Sequence, residues 1–549
     1  MSRAAERFDV TIVGAGPIGV VLGRLLGGQG IRTLIVDREP DVMKIPRAIA
    51  LDDDGGRVLQ AIGALSEVRR TMPRIEKVRL RSPDVGDVLV LDSNLWRNGN
   101  PMVLVFRQPE LESTLRAGLA ALPTVELRTS TTLESMEVGD ESVSLALDGP
   151  DGPCRVESRY VVGCDGARST VRKLVGLELV GSTYERDWLV VDVRRDPTPN
   201  REVHFLCDPR RPGVTMPAPE GGRRWEFMLG DEDDRASITS RETLRRLLAP
   251  WGDVDAMEVE RAAVYTFHAR VADHFRRGRV FLAGDAAHLT PPFAGQGLMA
   301  GLRDASNLAW KLAAVVRGEA DARLLDTYEV ERKPNARLMV DFARVMGSLI
   351  MPREGWKCFL RDRVFRPVAR LPGLRDALGS LDVKPRTRID AGLLRRDDRR
   401  GSLRAGDLLP QCAMETSTGH VAALDDLLGY RFAVVGVEVD PSRHLRRDQQ
   451  RWLAELGPVL RVGSRSEAES SGCQALVDVE RVFLESVPSG SCLVARPDKH
   501  LYAVVDAAEL EQAVDALRRD LGASAAPRPE PRSLRDTSAR TELRRSARV

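Results

Sequence analysis

Two glycine-rich segments of the chain have residues spaced for binding a nucleotide cofactor. In the first, VTIVGAGPIG at residues 10–19, an apolar run predicts a buried strand that leads through a GxGxxG spacing into a helix. Gly14 permits the tight turn, Gly16 lets backbone amides approach a pyrophosphate, and Gly19 lets the helix pack closely on the sheet. The predicted cofactor contacts of this segment are Gly14, Ala15, Gly16, Pro17 and Gly19.

An acidic residue follows the next predicted strand. The apolar run at residues 33–36 ends in Asp37, eighteen residues after Gly19. A carboxylate at this distance from the glycine motif hydrogen-bonds a ribose in dinucleotide-binding folds. Asp37 and the adjacent Arg38 are therefore predicted to contact the cofactor. This first region alone leaves open NAD, FAD and a purely structural turn.

The second segment, VFLAGDAAHLTPPFAGQG at residues 280–297, indicates which dinucleotide is bound. A strand at residues 280–283 delivers Asp285 into a turn, where its carboxylate can reach a ribityl hydroxyl. The backbone of Gly295, Gln296 and Gly297, at the start of a predicted amphipathic helix, can direct amides at the flavin N1/O2 edge, where negative charge accumulates on reduction. The two segments together predict FAD. The alternative for the second segment is a capped strand, turn and helix.

A third motif, CDGARSTVR at residues 164–172, lies between these segments and contains Asp165. The three motifs in this order resemble those of the class A FAD-dependent aromatic hydroxylases. Within that family the chain is most similar to the 3-(3-hydroxyphenyl)propionate hydroxylases, through segments such as PRAIALDDD, FRQPELE, GLRDASNLAWKL and LLDTYEVERKP. The sequence PPFAGQGLMAG departs from the phenylpropionate enzymes, and this leaves the identity of the substrate open.

The resemblance implies a single-component FAD monooxygenase that hydroxylates a phenolic aromatic substrate to a catechol-like product. NADH or NADPH would serve as a transient reductant, and O₂ would react through a flavin C4a-hydroperoxide. The main alternative is a tailoring hydroxylase of an aromatic polyketide or other natural product. An FAD oxidase or dehydrogenase and a non-catalytic flavoprotein are less favoured.

The resemblance also implies roles for individual residues. Arg47 would lie against the flavin and its phosphates, and Gln108 would contact the flavin; the alternatives are a surface ion pair and a polar residue at a helix N-terminus. Asp52 would act catalytically on the substrate hydroxyl, or else would only cap the helix that runs to about residue 62. Pro292 would lie over the flavin and shape the reaction pocket, or else would be a turn proline.

Three residues are predicted to contact the substrate from a β-rich region. His204 and Cys207 lie three residues apart on a predicted strand, hence on opposite faces, so at most one of them faces the substrate. Arg210 could recognise a substrate carboxylate. The alternatives are a hydrogen-bonded histidine within the sheet for His204 and a solvated turn for Arg210.

The order of predicted elements indicates an α/β fold with a Rossmann-like FAD-binding domain and an inserted antiparallel sheet that binds the substrate. The C-terminal part resembles a thioredoxin-like domain but has no paired cysteines, so packing or a homodimer contact is expected instead of a redox role. The predicted units are the FAD-binding domain at 1–182 and 280–387, the substrate-binding sheet at 183–279, the C-terminal domain at 388–522 and a disordered tail at 523–549.

Composition limits the remaining function classes. The 549 residues include 82 Lys and Arg and 80 Asp and Glu, so a net charge of +2 gives no reason to expect nucleic acid as a partner. The seven cysteines form no CxxC pair, which favours reduced thiols, a cytoplasmic location and no metal site. An apolar run long enough for a membrane span is absent from the sequence.

Overall fold

Three large β-sheets and three two-stranded ones are found in the part of the chain that the structure describes, and helices flank the large sheets. The computed structural model describes residues 6–44, 47–196, 199–368, 385, 387–396, 398–464 and 473–522. The predicted disordered tail at 523–549 lies outside the described residues. Within these ranges the α-helices are Pro17–Gly28, Asp53–Ala61, Leu65–Val68, Gln108–Ala117, Thr170–Leu174, Arg241–Leu248, Gly297–Val316, Thr327–Ile350, Gly355–Val368, Leu424–Leu428, Arg447–Leu456, Val482–Ser486 and Leu510–Asp520.

The first sheet has a parallel centre that is buried on both faces. Strand Glu6–Val13 pairs in parallel with Gly152–Gly163 on one side and with Thr33–Val36 on the other. The predicted strands at 10–13 and 33–36 are thereby confirmed. Their apolar runs suit a sheet covered by helices on both faces. The other strands of this sheet are Val125–Arg128, Thr132–Val138, Val143–Gly149, Arg276–Arg277 and Val280–Leu282.

The second sheet is mostly antiparallel, as the sequence predicts, but it is not continuous along the chain. Its first two strands come from residues that precede the predicted substrate-binding segment, and one of them pairs in parallel with Glu202–Leu206. Successive residues in these strands point to opposite faces of the sheet, as the pleat requires. The strands are Lys77–Ser82, Gly86–Asp92, Leu179–Val193, Glu202–Leu206, Gly213–Pro217, Arg223–Met228, Val259–Ala272 and His288–Leu289.

Helix Gly297–Val316 is buried along almost its whole length. The sequence predicts an amphipathic helix here, yet residues 299–315 are all buried. The reason is that the helix is covered from several directions: it contacts helices Pro17–Gly28 and Thr327–Ile350, and its Trp310 packs edge-on against Phe432 of the C-terminal part. Tertiary packing has therefore enclosed the face that a surface helix would expose.

The third sheet forms the core of the C-terminal part. Strand Ala433–Val437 pairs in parallel with Val459–Gly463 and antiparallel with Ser491–Ala495. Helices Arg447–Leu456 and Leu510–Asp520 accompany it, the second within the predicted range 508–521. The remaining strands of this sheet are Ala413–Thr416, Val421–Ala423, Gln474–Asp478 and Leu501–Asp506. All seven cysteines are free.

Buried charges join the C-terminal part to the rest of the chain. The Lys311 ammonium lies 2.7 Å from Glu331, which also accepts a 2.7 Å hydrogen bond from Arg496. Arg496 pairs at 2.6 Å with Asp498, and all four side chains are almost fully buried. Because a buried charge that loses its partner is strongly destabilising, these pairs tie the two parts into one folded unit.

None of the helices in the described ranges is long and apolar enough to cross a membrane. Within the same ranges, groups of His, Cys, Asp or Glu placed to hold a metal ion were not found either.

Candidate active site

A cavity of about 930 Å³ lies between the first and second sheets. One end is formed by the glycine motif and the turns that follow the strands of the first sheet, and the other by an apolar face of the second sheet. The structure brings most of the predicted cofactor residues, and the predicted catalytic residues Asp52 and Pro292, to its wall. These are Gly14, Gly16, Pro17, Asp37, Arg38, Arg47, Asp52, Gln108, Asp165, Asp285, Pro292, Gly295, Gln296 and Gly297.

The glycine motif has the geometry of a cradle for an anion. Gly14 has φ +107°, and a Cβ there would lie 2.5 Å from the carbonyl oxygen of Cys164. A Cβ on Gly19 would lie 1.9 Å from the carbonyl oxygen of Gly14, whereas one on Gly16 would meet nothing within 4 Å. The open backbone at Gly16 faces the cavity at the N-terminus of helix Pro17–Gly28, whose first turn has no acidic residue. This helix end can therefore bind a pyrophosphate.

Asp37 is held beside this cradle by backbone groups. Its Oδ2 accepts a 2.6 Å hydrogen bond from the amide of Ala15, and its Oδ1 accepts one of 2.9 Å from Glu39. The carbonyl of Ala15 in turn accepts hydrogen bonds from Arg116. Ala15 thus lies behind the cavity wall and orients the carboxylate, which fits a ribose at the cavity edge.

Gln108 fixes the loop that carries Arg47. Its Oε1 accepts hydrogen bonds from the amides of Arg47 and Ala48, at 2.8 and 2.7 Å, and its Nε2 donates to Glu112 at 2.6 Å. Burial raises the pKa of the Glu112 carboxyl. Gln108 is also the first residue of helix Gln108–Ala117, so the alternative for this residue, a polar group at a helix N-terminus, describes its position as well.

Asp285 and Asp165 follow two strands of the first sheet that pair with each other. The Asp285 side chain is exposed to the cavity. Desolvation by the surrounding protein raises the pKa of its carboxyl, while the charges of His288 and Arg47 lower it. Asp165 Oδ2 accepts hydrogen bonds from the amides of Thr170 and Val171 at 2.6 and 3.0 Å. A carboxylate directed into a cavity lined by backbone amides and glycines fits the hydroxyl groups of a dinucleotide.

Asp52 is both a helix cap and part of a buried ionic network. Its Oδ1 accepts a 2.8 Å hydrogen bond from the amide of Gly55, so it caps helix Asp53–Ala61, as the alternative interpretation predicts. Its Oδ2 accepts hydrogen bonds from Arg303 at 2.9 Å and from Gln296 at 3.3 Å. Arg303 was missed by the sequence analysis. The run of three aspartates at residues 52–54 was the available signal, because buried carboxylates need a cation.

Gly295 and Gln296 connect this network to the end of the cavity where the sequence predicts the flavin. Gly295 has φ +62° and follows the short turn that contains Pro292, and Gln296 precedes helix Gly297–Val316. The Gln296 side-chain oxygen accepts hydrogen bonds of 3.2 and 3.3 Å from Arg303. The orientation of this turn therefore depends on the ion pair between Asp52 and Arg303.

The other end of the cavity, where the sequence predicts the substrate, is formed by alternate residues of the second sheet. Val203 and Phe205 face the cavity beside Val214 and Met216 of the neighbouring strand. His204, between Val203 and Phe205, points to the other face, where its Nε2 lies 3.1 Å from a Glu202 oxygen. Burial lowers the pKa of the His204 imidazole.

Cys207 and Arg210 also lie outside the cavity lining. Cys207 follows the end of its strand and is fully buried against Leu80 and Val88, and burial raises the pKa of its thiol to about 11. The Arg210 side chain is 80% exposed and pairs with Asp208 at 2.9 Å. Neither Cys207 nor Arg210 lines the cavity that the predicted cofactor residues form.

Two charged residues of the second sheet line the cavity and were missed from the sequence. Arg224 pairs with Asp192 at 2.6 and 3.1 Å and donates a 2.9 Å hydrogen bond to the carbonyl of Arg47. Glu226 lies two residues further along the same strand and faces the same cavity. Alternation within the segment RRWEFML was the available signal, because it places Arg224 and Glu226 on one face and Trp225 on the other.

A second, smaller pocket of about 440 Å³ adjoins the main cavity at Ala167 and Arg168. Its lining is basic and includes Arg172, Lys173 and Arg270. Such a concentration of guanidinium and ammonium groups favours binding of phosphate-bearing molecules.

Comparison with known proteins assigns the family. Residues 7–343 match the family described as FAD binding domain, and residues 406–520 match the HcaD C-terminal domain. The chain is 37% identical, over 93% of its length and 96% of the relative, to a protein named 3-(3-hydroxy-phenyl)propionate/3-hydroxycinnamic acid hydroxylase 2 from Burkholderia vietnamiensis. The chain belongs to the FAD-dependent aromatic hydroxylases.

Solved structures of other proteins agree with this hydroxylase fold. The flavin-dependent monooxygenase PieE, crystallised with FAD and substrate, has a TM-score of 0.79 at 22% identity and covers 95% of this chain and 100% of its own. Aklavinone-11 hydroxylase, crystallised with FAD and aklavinone, has a TM-score of 0.75 at 25% identity, with coverage of 95% and 100%. The cavity of this hydroxylase, with its glycine cradle and inward carboxylates, is thus suited to FAD.

Proposed function

We propose that this hydroxylase converts a phenolic substrate of the 3-(3-hydroxyphenyl)propionate type to a catechol-like product, with NADH or NADPH as reductant and O₂ as oxidant. The observation that carries the proposal is one cavity in which a dinucleotide cradle adjoins an apolar sheet face. The choice of substrate is supported by relatives that carry this substrate in their names and are 37–39% identical to the chain.

The chain's own residues have separate tasks at the cofactor end. When bound, FAD accepts a hydride from the nicotinamide and activates O₂ for transfer of one oxygen atom. The helix N-terminus at Gly16 would bind the pyrophosphate, and Asp37 and Asp285 would accept hydrogen bonds from ribose and ribityl hydroxyls. The amides at Gly295 and Gly297 would face the flavin edge, and Pro292 would shape the space above the ring. Arg38, Arg47, Gln108 and Asp165 remain proposed cofactor contacts.

The substrate end would hold the aromatic ring and exclude water. Val203, Phe205, Val214 and Met216 present side chains that cannot hydrogen-bond water, so a ring bound there displaces poorly held solvent. Holding the ring within roughly 3 to 3.5 Å of the reacting atom converts a bimolecular step into an effectively unimolecular one. The predictions for His204, Cys207 and Arg210 stay predictions, and substrate contacts through these three would require a binding surface outside this cavity.

Asp52 is proposed chiefly to position the cofactor turn. Its two oxygens already accept hydrogen bonds from Gly55, Gln296 and Arg303, and each of these bonds stabilises the ionised form. A carboxylate with these partners is a poor proton acceptor. The sequence-based prediction that Asp52 acts on the substrate hydroxyl stays a prediction.

The basic pocket beside Arg168 is proposed to bind the phosphates of the nicotinamide nucleotide. It shares Ala167 and Arg168 with the main cavity, so a nucleotide anchored there could extend its nicotinamide toward the flavin. Arg270 and Lys173 supply charge that matches a pyrophosphate.

Two further proposals concern the whole chain. The mixed sheet of the C-terminal part supports a thioredoxin-like fold, and the buried pair of Arg57 and Asp425, at 2.7 Å, supports a packing role for it; a homodimer contact is the alternative. The seven free cysteines support a cytoplasmic location. The proposed role of the enzyme there is the breakdown of aromatic compounds.

The experiment that tests the proposed function uses the purified, FAD-loaded protein. Oxidation of NADH and of NADPH is measured together with oxygen uptake and product mass, with and without 3-(3-hydroxyphenyl)propionate. Faster oxidation of NADH or NADPH in the presence of the substrate, together with a product that carries one added oxygen atom, supports the proposal. Slow oxidation that yields only hydrogen peroxide would reject this substrate and direct the search to larger polycyclic phenols.

A further inference from the structure

Glu226 is an acidic side chain set into the apolar wall of the cavity. In the antiparallel pairing its neighbours are Val190 on one side and Val214 on the other. The next residues along the same row of the sheet are Phe205 and Leu80, both of which line the cavity. The Glu226 side chain is only 8% exposed, and it faces the region where a bound aromatic ring would lie.

The charges around Glu226 leave its carboxylate incompletely paired. Arg224 Nη1 lies 3.8 Å from Glu226 Oε1, too far for a hydrogen bond, while the short hydrogen bonds of Arg224 go to Asp192 and to a backbone carbonyl. Arg261 Nε lies 3.2 Å from Asp192 Oδ2, and its strand pairs with the Asp192 strand on the side opposite to Arg224. Among the residues that the structure describes, none donates a hydrogen bond to the Glu226 carboxylate.

A carboxylate without a protein donor must receive its hydrogen bond from whatever fills the cavity, which is water or a ligand. Burying an ionised group is unfavourable unless a hydrogen bond compensates, and the surrounding valines and phenylalanine cannot supply it. A phenolic hydroxyl on the bound ring has the chemistry that fits, because it donates one hydrogen bond and its ring packs on the apolar neighbours. A substrate carboxylate would be repelled at the same position.

We propose that Glu226 is a catalytic residue that accepts the hydrogen bond, and then the proton, of the substrate's phenolic hydroxyl. The inference rests on the proposed function, since it requires a phenolic substrate. The phenolic O–H bond breaks and an O–H bond forms on Glu226, while the electron pair stays on the phenolic oxygen and raises the electron density of the ring carbon that receives oxygen. The oxidant is O₂ and the reductant is NAD(P)H. One oxygen atom enters the product and the other leaves as water, and Glu226 returns its proton when the product departs.

The electrostatics of the site are consistent with a proton acceptor. Burial raises the pKa of the Glu226 carboxyl, Asp192 raises it further, and Arg224 and Arg261 oppose the increase. A carboxyl with a raised pKa is a stronger base than an exposed glutamate. Because Glu226 must be ionised to accept the proton, turnover should fall as the pH decreases through its raised pKa.

The first test measures binding, which does not depend on turnover. The FAD-loaded wild type and E226Q are titrated with 3-(3-hydroxyphenyl)propionate and with its methyl ether, and in parallel with phenol and anisole. We expect the wild type to prefer each phenol over its ether by about 10- to 100-fold, the value of a hydrogen bond to a charged group. The preference should decrease severalfold in E226Q, because a neutral amide oxygen accepts a weaker hydrogen bond than a carboxylate. Equal binding of phenol and ether by the wild type would overturn the proposal, even if E226Q failed to fold.

Matched variants separate Glu226 from its neighbours. E202Q removes an acidic side chain from the opposite face of the same sheet, where it does not line the cavity, so it should retain the preference for the phenol. D52N tests the other acidic candidate and should also retain it. Loss of the preference in D52N with retention in E226Q would transfer the role to Asp52 and contradict the proposal.

The second test measures turnover as a function of pH. In the wild type, kcat/KM for the phenol should decrease at acidic pH. In E226Q this acidic decrease should be absent. The variant should recover activity with a fluorinated, more acidic phenol, because such a phenol ionises without a base. An unchanged pH profile in E226Q would overturn the proposal. If the wild type binds phenols selectively but forms no hydroxylated product, the proposed function fails while the assignment of Glu226 as the hydroxyl acceptor stands.

Discussion

The Asp52 carboxylate and the Arg303 guanidinium form a buried ion pair of 2.9 Å between the start of one helix and the interior of another. Burial opposes the charge on Arg303, but Asp52, Asp54 and Asp53 outweigh it and raise the pKa of the guanidinium. Arg303 also donates to Gln296, which lies in the turn at the predicted flavin edge. This pair therefore links the stability of the fold to the geometry of the cofactor site.

Replacement of Arg303 by glutamine should destabilise the protein strongly. The change removes the guanidinium that pairs with the buried Asp52 and Asp54, and breaking a buried ion pair costs about 3–5 kcal/mol. Thermal unfolding and FAD content of the purified protein would report the effect, and both should fall. R323Q is the control, because the Arg323 side chain is 83% exposed and pairs with Asp321 at the surface, where such pairs are worth about 0–1 kcal/mol. Equal stability of the two variants would contradict the importance of the buried pair.

Gly14→Ala should abolish FAD binding or folding. The new Cβ would lie 2.5 Å from the Cys164 carbonyl oxygen, and the residue would have to keep φ +107°. Absorbance of bound flavin and circular dichroism distinguish loss of cofactor from loss of fold. Gly28→Ala is the matched control at the other end of the same helix, where a Cβ meets nothing within 4 Å; it should be neutral or stabilising by about 0.4–1 kcal/mol. Normal flavin content in the Gly14 variant would be incompatible with a tight approach at this turn.

Stability should decrease at acidic pH through the cluster that joins the C-terminal part. Burial disfavours the charge on Glu331, but Arg496 and Lys311 outweigh it and hold the pKa of the carboxyl at about 2. Because this is below the usual value of 4.5, the stabilisation is present above pH 4.5 and is lost as the pH falls toward 2. Denaturant unfolding across this range should show the loss. E331Q should be less stable at neutral pH and should depend less on pH; identical slopes in both proteins would argue against this assignment.

Arg270→Gln should weaken binding of the nicotinamide nucleotide. A lost guanidinium–phosphate hydrogen bond is worth about 1.5–3 kcal/mol, so the KM for NAD(P)H should rise by roughly 10-fold or more. FAD content should not change, since Arg270 does not line the main cavity. R443Q, at an exposed site of the C-terminal part, is the control. A KM that is insensitive both to R270Q and to added salt would place the nucleotide elsewhere.

The sequence predicts those features that depend on short segments. The strand at residues 33–36 and the placement of Gly14, Asp37 and Asp285 at one cavity follow from spacing within single motifs, because local turns and strand ends determine them. The alternation that turns His204 away from the cavity depends on the register of its strand, which a single segment does not reveal.

Contacts between distant segments were not predictable in the same way. Arg303 and Asp52 are 251 residues apart, so neither residue indicates the other from local pattern alone. The two strands at residues 77–92 join a sheet whose other strands lie more than 80 residues later. Glu226 was missed because its role depends on which face of that sheet meets the cavity. Pairing across the chain, not local propensity, places these groups.

The most direct test of the central claim is the fate of O₂ in a turnover experiment. The FAD-loaded protein is given NADH or NADPH, 3-(3-hydroxyphenyl)propionate and O₂ enriched in the heavy isotope, and the product is examined by mass spectrometry. The account predicts a dihydroxylated product in which one new oxygen carries the label. An unlabelled product, or label found only in hydrogen peroxide and water with this and other phenols, would contradict it.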